Sequence, residues 1–433
     1  MRILWIKVGG LWPCNTGGRL RSFHLLRELS KRHQVTLLTS DSSAEQQRVL
    51  RAQLPECEAI VSLVHRMPKW RSPRFALALA CSWLSALPVD MRRSRIASLR
   101  AEAGRCLAGH RVDLCVADFV AAMPNVPRAP GVPVLLFEHN VEYLIWKRLA
   151  GVESRPWRRA LLELEWRKLR RYEAAACRRA TLTATVSSVD RTLLATLVPS
   201  ALIRAVPTGV DTEYFAPDDA QEIPGQIVYV GSMDWQPNED AVRHFMHEVL
   251  PRVRQAVPGA QFTVVGRNPS DTLRRAAQRC GVPLTGTVED VRPHLRQAAV
   301  CVVPLRIGGG TRLKIFEALA MGKAVVSTSV GAEGLPLVDG RHFLRADEPD
   351  AFANAVIALL QNPAHRRELG RAGRELVERH YSWAQVAAQF DDLCVQAGDA
   401  YHGARQRTAH DIARREPVGE PPAVLPLHLQ QRR

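Results

Sequence analysis

The stretch from Val302 to Leu335, VVPLRIGGGTRLKIFEALAMGKAVVSTSVGAEGL, constrains the fold more than any other part of the chain. Val302 and Val303 form an apolar run that enters three glycines, Gly308, Gly309 and Gly310, and from Thr311 onward Leu313, Phe316, Leu319 and Ala320 recur at helical spacing. Gly322 stands where a helix C-cap belongs, and the apolar run Ala324 to Ser327 follows it. Strand, glycine loop, helix and strand in this order make a βαβ crossover, which requires a parallel sheet. A glycine loop that opens a helix presents unpaired backbone N–H groups where the helix dipole also favours an anion, so phosphate is the expected ligand.

At 433 residues the chain exceeds one ordinary hydrophobic core, and two globular units are expected. Hydrophobic residues at 46% and charged residues at 24% suit a soluble enzyme, whereas a net charge of +16 asks for an anionic partner. That partner is a nucleotide, a nucleic acid or an acidic lipid surface. The nine cysteines are scattered without metal-ligand spacing, which reads as reduced thiols in a cytoplasmic protein. Lys7 interrupts the apolar N-terminal run Ile3 to Val8 and no cleavage pattern follows, so a first core strand is expected there rather than a signal peptide. The longest apolar stretch, Phe75 to Val89, is shorter than the roughly 18 residues that span a bilayer.

Taken in order, Ile3 to Val8 reads as a buried strand, Gly9 to Gly18 as a loop, Arg19 to Ser30 as a helix and Val35 to Thr39 as the next strand. Gly9, Gly10, Gly17 and Gly18 do not follow the dinucleotide spacing G-x-G-x-x-G and are better read as a glycine-lined cleft edge. Val112 to Ala117 and Val132 to Phe137 are apolar enough for central parallel strands. The second ends in Glu138 and His139, and the carboxyl ends of strands are where open α/β sheets bind ligands. From Tyr143 to Ala180 a single helical pattern carries eleven basic residues between Lys147 and Arg179. It reads either as a solvated face or as a docking face for anionic lipid headgroups.

Pro207, Gly209, Pro217 and an acidic stretch to Gly225 mark an interdomain linker, and alternating strands and helices resume at Gln226. Leu284 to Gly286 reads as a short strand within this second unit, and Ser382 to Leu393 as a late amphipathic helix. The architecture is α/β: two Rossmann-like, doubly wound parallel-sheet domains, residues 1–207 and 226–380, joined by a linker at 208–225. The segment 398–433, rich in Arg, Gln and Pro, reads as a disordered basic tail.

The stretch Pro304 to Leu335, together with Pro207-x-Gly-Val-Asp211 and Phe215-x-Pro217, resembles glycosyltransferase family 4 of the GT-B fold. The likeness runs from Arg2 to about Leu393. It implies two domains facing a central cleft and a C-terminal crossover helix, 381–397, that returns to the first domain. It also implies retaining transfer of a sugar from a nucleotide-diphosphate donor, with no metal and no cofactor beyond that co-substrate. In the family pattern two glutamates stand eight residues apart. Glu317 matches the second, which bonds the donor ribose, while the first falls on Gly309, so its side-chain contact to the sugar is missing. Gly310 and Thr311 match the positions whose N–H groups meet the diphosphate.

Relatives commonly follow the glycine at position 231 with an arginine and, five residues later, a lysine. Ser232 and Pro237 stand there instead, and Arg312 and Lys314 are the nearest basic replacements. A departing diphosphate needs its developing charge stabilised, which gives these two residues a task beside Gly231. Gly17, Gly18 and Arg19 match the cleft edge on the acceptor side, and His139 a histidine near the transferred sugar, placed there for positioning or proton handling. The implied function is a hexosyltransferase of polysaccharide or glycolipid synthesis. It acts on a glycan or lipid-linked acceptor in the cytoplasm, peripheral to the inner face of the membrane through residues 147–179. The alternative is a non-catalytic nucleotide-sugar-binding or scaffold protein of the same fold. Nucleic acid is a poor match, because no recognition motif accompanies the basic segment.

Overall fold

A computed structural model describes residues 1–14, 16–40, 43–65, 72–109, 111–218, 222–307 and 313–415. Its first sheet is built from β1 (Arg2–Lys7), β2 (Gln34–Ser40), β3 (Ala59–Leu63), β4 (Leu114–Asp118), β5 (Val134–Glu138), β6 (Leu182–Thr185) and β7 (Ile203–Ala205). These strands lie in the order β3-β2-β1-β4-β5-β6-β7, and every pairing is parallel. The second sheet comprises β8 (Gln226–Val230), β9 (Gln261–Val265), β10 (Val300–Val303), β11 (Ala324–Ser327) and β12 (Leu344–Arg345). Its order is β12-β11-β10-β8-β9, again all parallel.

Parallel strands need crossovers, so helices cover both faces of the first sheet and its strands are apolar on both sides. Trp5, Phe137 and Leu37 face one core, and Leu4, Leu38 and Leu136 face the other. The expected βαβ unit is present: β10 pairs with β11 in register Val300 to Ala324, and Gly322 has φ 68°, the left-handed conformation that a helix C-cap needs. Residues 308–312 of that unit lie outside the described residues. The short strand expected at Leu284 to Gly286 is instead a pair of isolated bridges, Val264 to Leu284 and Gly266 to Gly286.

Three boundaries differ from the sequence reading. The basic segment is two packed helices, Glu142–Val152 and Pro156–Arg179, and not one. Proline disfavours helix in the residue before it and suits the first helical turn, so Pro156 breaks the pattern and starts it again. The linker is partly structural, since Val210 and Phe215 belong to the second-domain core. The disorder expected from residue 398 is corrected as well. The last helix runs from Trp383 to Arg415, and residues 416–433 lie outside the described residues.

The last helix carries the architecture, because it returns to the first domain and fills that core. Trp383, Val386, Ala387, Phe390, Leu393, Cys394 and Ala397 are all buried there. The Phe390 ring lies 5.6 Å from Trp5 and 5.0 Å from Phe137, the second contact edge-on. Removing a fully buried phenylalanine costs transfer free energy plus a cavity, so Phe390→Ala should lower stability by about 3–5 kcal/mol. Urea denaturation followed by tryptophan fluorescence measures this, and a loss below about 1 kcal/mol would mean that the helix does not dock.

Candidate functional site

The first-domain side of the cleft is built at the carboxyl ends of β1, β4 and β5. Lys7 ends β1, Asp118 ends β4 and His139 directly follows β5, and all three are buried. Asp118 collects donors: Trp5 Nε1 at 2.9 Å and Lys7 Nζ at 3.1 Å on Oδ2, and His139 Nε2 at 2.8 Å on Oδ1. Arg21 Nη1 stands 2.9 Å from His139 Nδ1, and Arg21 Nε donates to Thr208 Oγ1 at 2.9 Å. A guanidinium has no acceptor, so Nδ1 of His139 accepts and Nε2–H donates to Asp118, which fixes a neutral tautomer.

Burial pushes the His139 pKa down to about 3 against the opposing pull of Asp118, so the ring stays neutral at working pH. Burial alone would raise the Asp118 carboxyl, but Lys7 and His139 outweigh it and hold it below the usual range. His139 is 1% exposed. Phe119 covers it, stacked at 3.8 Å with the ring planes 8° apart. Phe119 has φ 71° and ψ 155°, a conformation a side chain rarely adopts, which stores about 1–3 kcal/mol of strain at the cleft. Gly18 is required beside it, since a Cβ there would lie 2.6 Å from the Phe119 ring. A Cβ on Gly17 would lie 3.3 Å from Leu313, so the two domains meet at this edge. Arg19 reaches back to the Pro13 carbonyl at 3.4 Å.

The second-domain side is built at the ends of β8, β9 and β10. Lys314 Nζ donates to Tyr229 Oη at 2.8 Å and to Asn238 Oδ1 at 3.0 Å, and lies 4.2 Å from the centre of the Tyr229 ring. A Cβ on Gly231 would come within 2.6 Å of that ammonium, so the lysine sits directly over the glycine turn. Glu317 follows one helical turn later, partly buried. Burial pushes its carboxyl up to about 7, with Lys314 opposing. Gly310, Thr311 and Arg312 lie outside the described residues.

Arg267, just past β9, is a basic residue that the sequence reading did not single out. Its Nε donates to Ser232 Oγ at 2.8 Å and lies 3.4 Å from Asp234, which places a second cation at the Gly231 turn. Its position immediately after a strand, at Gly266-Arg267, was the available signal.

Two parallel-sheet domains, with polar strand ends facing one cleft and a terminal helix crossing back, define the class of GT-B glycosyltransferase folds. Solved structures of that class match along the chain. The HepE protein of Anabaena in complex with UDP superposes with a TM-score of 0.66 at 13% identity, over 92% of this chain and 100% of that one. Sucrose-phosphate synthase from Thermosynechococcus elongatus does so with a TM-score of 0.66 at 19% identity, over the same shares of 92% and 100%.

The family model for Glycosyltransferase Family 4 matches residues 17–214, and that for Glycosyl transferases group 1 matches residues 224–362. The chain belongs to glycosyltransferase family 4. Among its relatives, phosphatidyl-myo-inositol mannosyltransferase of Mycobacterium tuberculosis is 32% identical over 200 residues, covering 42% of this chain and 51% of the relative. A GDP-mannose-dependent alpha-(1-6)-phosphatidylinositol monomannoside mannosyltransferase of the same organism is 30% identical over 242 residues, 48% of this chain and 60% of that protein. The chain thus spans about half the length of the first of these relatives and three fifths of the second.

The raised carboxyl of Glu317 has a direct consequence for stability. An ordinary glutamate titrates near 4.5, so between that pH and about 7 the folded state holds a proton the unfolded chain has released. Stability from this group is therefore complete below about 4.5 and is lost as pH rises through about 7. Glu317→Gln removes the titration, so its melting temperature relative to wild type should rise between about pH 5 and about pH 8. A difference that stays constant across this range would mean that Glu317 titrates as an exposed glutamate does.

Proposed function

We propose that the protein is a retaining hexosyltransferase that moves a sugar from a nucleotide-diphosphate donor to a glycan or lipid-linked acceptor. The observation that carries this reading is Lys314 seated over Gly231, with Glu317 one turn beyond it. A diphosphate at the Gly231 turn would meet the Lys314 ammonium, with Arg267 nearby, and a ribose beyond it would meet the Glu317 carboxylate. Ionised Glu317 accepts two hydroxyl bonds, whereas its protonated form accepts poorly. Gly310 and Thr311 extend the phosphate contacts through their N–H groups, and Arg312 adds charge, by the family pattern.

By the family pattern the reaction is front-face displacement with retention, in which the diphosphate oxygen takes the proton of the attacking hydroxyl. The leaving charge falls on Lys314 and the backbone donors, so the reading assigns no metal. His139 serves by position: with Nδ1 held by Arg21 and Nε2 by Asp118, it anchors the wall against which the transferred sugar lies. The lipid-linked acceptor draws support from relatives named for phosphatidylinositol substrates.

Peripheral attachment to an anionic membrane is part of the same proposal. Trp157, Leu149 and Leu164 are exposed among Lys147, Arg155, Arg159 and Arg167, and Leu77, Trp83 and Leu84 are exposed on the neighbouring segment. Glu165 and Lys168 tie that segment to the basic helix through Ser82 and Val89. Lys168 is buried in this contact and takes no part in the charged face. Among the described residues no helix is long and apolar enough to cross a membrane. Each basic residue near an anionic surface contributes about 1 kcal/mol, so the protein should sediment with phosphatidylserine vesicles at low salt and be released at high salt. Indifference to such vesicles would remove the attachment.

Transfer and donor hydrolysis measured with a panel of nucleotide sugars test the central reading. Glu317→Ala should lose about tenfold to a hundredfold in rate, and Lys314→Ala should weaken nucleoside diphosphate by a similar factor while sparing the nucleoside. Equal rates for wild type and Glu317→Ala would remove the ribose assignment. Donor binding with no product from any sugar would instead favour a non-catalytic nucleotide-sugar binder.

A further inference from the structure

A cavity of about 230 Å³ opens in the first domain alone, at the carboxyl ends of β4 and β5. It is lined by Phe119 and Ala121 on the turn that leaves β4 and by Glu142 at the start of the helix Glu142–Val152. The short helix Val89–Ser94 brings Asp90 and Arg93 to it. The groups at the Gly231 turn take no part in this lining. An apolar cavity of about 150 Å³ holds a benzene ring, so the volume here admits one six-membered ring with its substituents.

The chemistry of the lining is mixed. Arg93 Nη1 donates to Asp90 Oδ1 at 3.1 Å, and the two side chains are 12% and 32% exposed, so the pair is sheltered but still reached from solvent. Asn140 Nδ2 donates to Glu142 Oε1 at 3.3 Å, which orients that carboxyl. Burial pushes the Glu142 carboxyl up to about 7, with Asn140 opposing and Asp90 adding, so near neutral pH it can accept from a hydroxyl or donate to one. A ring of hydroxyls needs donors and acceptors together, and two carboxyl groups beside a guanidinium supply both. A phosphate fits poorly, since Asp90 and Glu142 would face it.

Phe119 belongs to the cavity and to the cleft wall at once, because its ring also covers His139 and meets Gly18. Its strained backbone therefore stands where cavity and cleft adjoin, a place where strain is retained for function. On the other side, Trp83 and Leu84, 46% and 91% exposed, precede Asp90 by a few residues. The Val89 N–H is tied to the basic helix through Glu165 at 2.8 Å. The cavity thus lies between the apolar segment proposed to meet the membrane and the wall at which transfer is proposed to occur.

We propose that this cavity holds the ring of the acceptor, a pyranose or another cyclic polyol, with Glu142 and the Asp90–Arg93 pair on its hydroxyls and Phe119 beside its apolar face. The inference deepens the transferase reading above and rests on it for the ligand's role as acceptor. A lipid tail that stays with Trp83 and Leu84 would leave such a ring at the cleft wall.

The experiment is saturation-transfer NMR on the full chain with methyl α-glucopyranoside, methyl α-mannopyranoside and myo-inositol, and with glycerol as an open-chain control. At least one ring compound should bind, and glycerol should not. Glu142→Ala should weaken that binding about tenfold and Glu142→Gln less, while Ala121→Phe, which fills the cavity, should abolish it. Both positions are partly exposed, and an unchanged melting temperature reports that each variant keeps its fold. No ring binding in the wild type, or equal binding in the wild type and Ala121→Phe, overturns the inference. Incubation with a panel of nucleotide sugars tests the role: the ring compound that binds should be recovered as its glycoside. Donor hydrolysis without that glycoside overturns the acceptor assignment. A wild type that neither hydrolyses nor transfers from any donor overturns the transferase reading, and the acceptor assignment falls with it.

Discussion

The indole of Trp383 lies against the backbone of Gly209, in space that a Cβ would enter at 2.6 Å, and the relation between the two domains depends on that contact. The same ring stacks on His24 at 4.7 Å with the planes 4° apart, inside the first-domain core. One residue further along the linker, the Val210 N–H donates to the Tyr381 carbonyl at 2.7 Å, and Val210 bridges to Ser382. The outgoing and returning crossings of the chain are therefore hydrogen-bonded to each other. Arg374 adds a clamp from the second domain by donating to the carbonyls of Thr212 and Phe215. The two crossings, joined side by side, form the connection between the domains.

The two walls of the cleft handle charge in opposite ways. In the first domain Lys7, Asp118, His139 and Arg21 satisfy one another inside the protein, and none is presented as a free ion. Such a network is rigid because each member has a partner in the low-dielectric interior and would lose it by moving. In the second domain the Lys314 ammonium is held at the glycine turn by hydrogen bonds to Tyr229 and Asn238. The proposed transfer draws on both walls, since a sugar must be held still while charge develops on the leaving group.

Much of the fold was legible because its signals are local. The apolar runs of β10 and β11, the helical spacing between them and the glycine at the C-cap are all read within about thirty residues, and the βαβ unit stands where they place it. The break at Pro156 was equally local and was passed over because basic residues continue on both sides of it. The length of the final helix was not legible. Its sequence beyond residue 398 is polar and low in apolar content, yet the buried stretch up to Ala397 nucleates a helix that then propagates at small cost per residue.

The candidate site divides along the same line. The chain by itself determined the element types, their alternation, the parallel sheets that alternation requires, and the residue types able to meet a diphosphate and a ribose. Only the tertiary structure decided which of those residues meet. Lys314 and Tyr229 are 85 residues apart and touch because β10 lies beside β8 in the sheet. Arg267 joins them from β9 on the other side, and Arg148 meets Glu333 from the opposite domain. The physical reason is that strand order and the meeting of the two domains are set by long-range packing, to which each residue contributes a little. The propensities that mark a strand, a loop or a helix are instead written within a few turns of chain.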